Sequence, residues 1–179
     1  MENIVEITIV LLGNWNTKIF TPTWIMKELL ELDNDELLEI GFNNTLQPIY
    51  KYKEIHFVPN DRAFEIKFTN SDDNTIKIAN KAALRLINAL PFTPNMLIGF
   101  NYKYAKNCDL SGIKISDYSD KYSLSEIKFT KEEDDYVLNI IINNIAKQVT
   151  YNFHYSKPRF INIKETTIKD HIEYIKNGK

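Results

Sequence analysis

A single cysteine, Cys108, rules out any disulfide within this chain. It fits a reducing compartment. The opening Met1-Glu2-Asn3-Ile4-Val5-Glu6 carries two acids and no base, unlike a secretory leader, so a cytoplasmic location is expected. Apolar runs are short. Ile7 to Leu12 falls far below the roughly 20 residues that cross a bilayer, and no membrane association is expected. The five glycines are scattered singly, which leaves no Gly-rich phosphate loop and no elbow for a nucleophilic serine. No cofactor is therefore expected. Arginine, the preferred fork for phosphate, occurs only as Arg62, Arg85 and Arg159. With a formal net charge of −2 there is no global field to attract nucleic acid, which is not an expected partner.

What is present is ordinary for a globular protein: 44% hydrophobic and 26% charged residues. At 179 residues the chain suits one domain over 1–179 and needs no metal or disulfide to hold its core. Heavy use of Ile, Asn, Lys and Tyr has the look of an AT-rich genome, so abundant Asn is not in itself a functional signal.

Residues 3–12, β-branched and apolar up to Gly13, predict a buried strand. Thr21-Pro22 reads as an N-cap and first helical position, opening a helix over about 22–32 whose broad apolar face holds Trp24, Ile25, Met26, Leu29 and Leu30. Leu37 to Phe42 predicts a strand. Ile49 to Lys53 and Ile55 to Val58 read as two strands or one interrupted one. Phe64, Ile66 and Phe68 alternate with Glu65 and Lys67 in a half-buried strand. A helix over about 75–90, with Ile78, Ala79, Ala82, Leu86, Ile87 and Leu90 on one face, stops at Pro91. Met96 to Tyr104 alternates again, and 105–121 is the irregular stretch where a functional loop would sit. Three strands over 122–130, 136–143 and 147–155 form a meander, a short strand covers Phe160 to Ile163, and a last helix begins at Thr166 or Thr167. Strands follow one another more often than they alternate with helices. The expected fold is α+β: a mainly antiparallel sheet of about six to eight strands with two or three helices packed on it.

Two constellations suggest chemistry. Asp109 with Glu126-Ile127-Lys128, and Asp61 with Glu65-Ile66-Lys67, have the acid then acid-x-Lys order of metal-dependent nucleases. Alternating Glu and Lys also describes the wet face of any strand, and the helix such sites carry after acid-x-Lys is replaced by another strand. His56, His154 and His171 fall at no metal-ligand spacing, so no metal site is expected. Cys108 and His154 offer a nucleophilic pair distant in sequence, though a lone cysteine is more often a small buried side chain. Tyr50-Lys51-Tyr52-Lys53 could stack bases, or be a half-exposed strand.

The most distinctive feature is a repeated pentad: Phe100-Asn101-Tyr102-Lys103-Tyr104 and Tyr151-Asn152-Phe153-His154-Tyr155. On a strand, three aromatics of each share one face and Asn plus a base share the other. Two neighbouring core strands explain this plainly. The sharper reading is a polar stripe, Asn101, Lys103, Asn152 and His154, that meets a ligand or partner. Trp15, between two asparagines in a loop, is expected to be exposed at a contact surface, and Trp24 to anchor the core.

Leu11-Leu12-Gly13-Asn14 with Asn16, Ile19-Phe20, Pro22 and Trp24 resembles the opening of a group of small bacterial proteins. Thr93-Pro94, Ile98-Gly99, Asn101 and the Asn152 to His154 segment are similar to that group too. The resemblance touches about a third of the chain and implies no activity; proteins of this kind occur in mobile or phage-defence operons. The expected function is a non-enzymatic interaction subunit or adaptor, working through a protein partner or self-association. The alternative is a metal-dependent hydrolase acting on nucleic acid through Asp109, Glu126 and Lys128.

Overall fold

The computed structural model describes residues 3–33, 35–106, 124–156, 160 and 162–177. Among them run nine strands and three helices. The first half holds β1 (Asn3–Leu12), α1 (Pro22–Trp24) continued by a wider turn (Ile25–Leu29), β2 (Glu39–Phe42), β3 (Pro48–Tyr52), β4 (Ile55–Pro59), β5 (Ala63–Phe68) and α2 (Asp73–Ala89). The second holds β6 (Leu97–Ala105), β7 (Glu126–Glu132), β8 (Val137–Asn143), β9 (Gln148–Ser156) and α3 (Thr167–Lys176). All pairings are antiparallel in one sheet, ordered β2-β3-β4-β5-β1-β6-β9-β8-β7.

The class is the expected α+β, but the sheet has nine strands rather than six to eight. Ile49 to Val58 is two strands closed by Lys53-Glu54, with Tyr52 opposite Ile55. Lys53 takes φ 54° there, a left-handed setting usually left to Gly or Asn, so the turn was masked by its residue types. Of the short strand expected over Phe160 to Ile163, the described residues 160, 162 and 163 do not join the sheet: the Ile163 N–H bonds the Phe160 carbonyl at 3.0 Å in a local turn. Leu37 lies before β2 and is 77% exposed.

Thr21 caps α1 as expected, its hydroxyl accepting from the Trp24 N–H. The helix then widens, with Leu30 N–H reaching the Ile25 carbonyl at 3.0 Å, and ends at Glu31, φ 50°. The wider turn puts Ile25 and Leu29 both inside and makes the helix shorter than 22–32. In α2, capped by Asp72, the buried set is Thr75, Ile76, Ala79, Asn80, Ala82, Ala83 and Leu86, while Ile78, Ile87 and Leu90 are half-buried. The face is turned from its sequence expectation because α2 packs against β5, the Ile25–Leu29 turn and α3 together.

One face of the sheet makes the core. Ile9 pairs with Ile66 and Phe100, Ile66 with Phe57, and Phe100 with Phe153, an unbroken apolar row that is fully buried. Helices α2 and α3 lie on this face.

The chain traces the same path twice. β1 is followed by the meander β2 to β5, whose last strand returns beside β1, and then by α2. β6 is followed by β7 to β9, whose last strand returns beside β6, and then by α3. A two-fold rotation at the Ile9–Phe100 pair carries β1, β5, β4 and β3 onto β6, β9, β8 and β7. Among the described residues strand β2 has no counterpart.

Candidate functional site

Period-2 alternation sends every second residue to the face away from the helices. No described helix packs there. Across its middle one register row crosses the whole sheet: Glu39, Lys51, His56, Lys67, Thr8, Asn101, Asn152, Asn139 and Thr130, one from each strand. At about 4.8 Å per strand this row is about 40 Å long.

Its two halves differ chemically. From β7 to β1 the side chains bond one another in a single direction. Thr130 donates to Asn139 at 2.9 Å, Asn139 to Asn152 at 3.4 Å, Asn152 to Asn101 at 2.5 Å and Asn101 to the Thr8 carbonyl at 3.4 Å. Each amide uses its oxygen to accept and its nitrogen to donate, so the chain polarises along its length. One row over, Lys103 pairs with Glu6 at 2.6 Å, and its ammonium holds the Glu6 carboxyl below the usual range. From β5 to β2 the row is charged. Lys67 pairs with Glu65 in its own strand, and Lys51 with Glu39 at 3.5 Å. Lys51, His56 and Lys67, with Glu6 and Glu54, line a shallow hollow of about 180 Å³. Pairs this exposed contribute little to stability and exchange readily for a partner's charges.

A second feature lies under the helices. His171, 4% exposed on α3, stacks on Phe153 at 3.8 Å. Its Nδ1 meets the Tyr102 hydroxyl at 2.9 Å and its Nε2 the Tyr155 hydroxyl at 2.8 Å. A neutral imidazole offers one donor and one acceptor, so one tyrosine accepts and the other donates. Burial pulls His171 from 6.5 to about 3 and pushes both tyrosines up. Beside it opens a cleft of about 260 Å³ whose lining includes Tyr136, Lys164, Asp170 and Tyr174. With both ring nitrogens engaged and protonation opposed, His171 braces this wall rather than moving protons at neutral pH.

The structure brings Asn101 and Asn152 together, directly opposite in register. Lys103 sits one row to one side, opposite Thr150, and His154 one row to the other, opposite Gly99. β6 and β9 are neighbours, as the shared pentad suggested. Trp15 is buried rather than exposed: it is 6% exposed, its indole N–H bonded to the Leu11 carbonyl at 3.1 Å and its ring tilted against Phe20. Backbone bonds from Gly13 to Arg62, Asn14 to Pro94 and Trp15 to Asp61 pin this loop over the core. Trp24 is the half-buried one.

Asp109 and Cys108 lie outside the described residues. Glu126 and Lys128 stand on the exposed edge strand β7, where Glu126 accepts from Asn143 at 3.3 Å. Glu65 and Lys67 pair with each other on the open face. Among the described residues no three His, Cys, Asp or Glu gather as metal ligands, and no described helix is long and apolar enough to cross a membrane. Tyr50 and Tyr52 are buried on the core face, which removes the base-stacking reading of 50–53. Sequence reasoning passes over Thr8, Asn139 and Thr130, and it meets Lys51, His56 and Lys67 only in other readings. Alternation places each on an outer face, but only the register joins them into one row. Comparison with protein-family models, curated proteins and solved structures finds no match to this chain.

Proposed function

We propose that this chain is a non-enzymatic interaction subunit that docks a partner protein on the open face of its sheet. The observation that carries the reading is the nine-strand polar row, with no described helix packed over it. A face about 40 Å across matches the footprint of ordinary protein interfaces, whereas small-molecule sites are concave and mostly apolar. The amide chain from Thr130 to Thr8 keeps one half rigid. The exchangeable pairs around Lys67 and Lys51 give the other half its selectivity.

The test co-expresses the chain with the products of neighbouring genes. Native protein is compared with a Lys67→Glu/His56→Glu variant of the open face and with Lys77→Glu on the exposed side of α2. A complex kept by the α2 variant and lost by the face variant supports the proposal. Equal retention in both, or the absence of any complex, overturns it.

A further inference from the structure

The two edges of the sheet are finished differently. β7 carries Glu126, Lys128, Lys131 and Glu132, four charges in seven residues. This is how natural sheets keep other strands from adding to an edge. At the opposite edge β2 is four residues, Glu39-Ile40-Gly41-Phe42, all exposed and with a single charge. Ile40 is 48% and Phe42 66% exposed, and nearby Leu37 and Leu46 are 77% and 81% exposed. Among the described residues nothing pairs with the outer side of β2.

We infer that β2 is the self-association edge of this protein, pairing antiparallel with β2 of a second copy to join two nine-stranded sheets into one. The sequence of the strand suits its own two-fold image. Residues directly opposite share a face, and a continuous sheet must keep helix side with helix side. Within Glu39–Phe42, the face-matched register that mates both apolar residues puts the axis through Gly41. Ile40 of each copy then faces Phe42 of the other on the helix side. Glu39 faces Asn43, so no like charges meet. A Cβ built on Gly41 finds nothing within 4 Å, so the fold of one chain does not itself require glycine there. Four strand residues with Leu37 and Leu46 make a small interface, and the dimer is accordingly concentration-dependent. This inference does not rest on the open-face proposal, and each can fail alone.

The experiment uses sedimentation velocity on the full chain. Native protein is expected to pass from monomer to dimer as concentration rises. Ile40→Lys with Phe42→Lys places like charges across the axis, as does Ile40→Glu with Phe42→Glu, and each variant alone is expected to stay monomeric. Mixed, the two are expected to form a one-to-one dimer, which also shows that both are folded. A native chain monomeric up to about 500 µM, where a weak interface would still register, overturns the inference. So does a dimer unaffected by either charge set, or a mixture that fails to associate.

Discussion

Replacing Phe100 or Phe153 by Ala tests which face of the paired strands β6 and β9 holds the fold together. Both rings are fully buried, opposite each other in register, and both touch His171: Phe153 stacked at 3.8 Å, Phe100 edge-on at 5.2 Å. Truncating such a ring costs about 3–5 kcal/mol once the cavity is counted. Asn101 and Asn152 sit on the same strands but face outward and are half-exposed. Losing one amide bond there costs about 0.5–1.5 kcal/mol, because water replaces part of it. With an m-value near 2 kcal/mol/M, urea midpoints should fall by roughly 2 M for each Phe variant and roughly 0.5 M for each Asn variant. The phenylalanines share a neighbour, so their double variant should depart from additivity by about 0.5–3 kcal/mol. Asparagine variants that lose as much stability as the phenylalanine ones would refute the assignment of the two faces.

Acid should unfold the protein partly through His171. Its imidazole holds at about 3 when folded against 6.5 ordinarily, so the unfolded chain takes up the proton first. The contribution is whole above pH 6.5 and is lost toward pH 3, at about 1.4 kcal/mol per pH unit. A His171→Phe variant should show a shallower acid slope, and identical slopes in denaturant titrations would refute this. In acrylamide quenching, a Trp24→Phe chain, which keeps Trp15, should be the more shielded; the reverse order would contradict the burial of Trp15. Gly13→Ala should destabilise by about 1–3 kcal/mol, since its Cβ would lie 2.7 Å from Thr93 Cγ2 and 3.3 Å from the Trp15 ring. Gly41→Ala meets nothing and should leave the melting temperature unchanged at low concentration.

Alternation made the strands legible, because a half-buried strand writes its two faces into successive residues. Phe64 to Phe68 and both pentads are read directly from that pattern. Proline and capping residues marked α1 and α2 equally well. What alternation does not carry is the partner of each strand. β1 lies between β5 and β6, with Ile9 opposite Ile66 and Phe100, and such distant pairings leave no local trace. Trp15 was misjudged for the same reason. Its flanking asparagines are loop residues, yet backbone bonds to Asp61 and Pro94 fold that loop over the core. The aromatic pentads pointed to Asn101 and Asn152, while the lysines and histidine across β3 to β5 looked like any wet strand face.

The doubled path bears on how this chain holds itself together. Its two halves meet along the ladder from Asn3–Ala105 to Leu12–Leu97, with α2 touching α3 above it. Only the stretch between Leu90 and Met96 ties them covalently. A chain cut there would become two pieces that recognise each other through a ready-made seam, as subunits do. What the uncut backbone adds is effective concentration: it turns a bimolecular encounter into an intramolecular one and fixes one copy of each half. The Asn95 turn, at φ 55°, thus acts as the tether between the two halves.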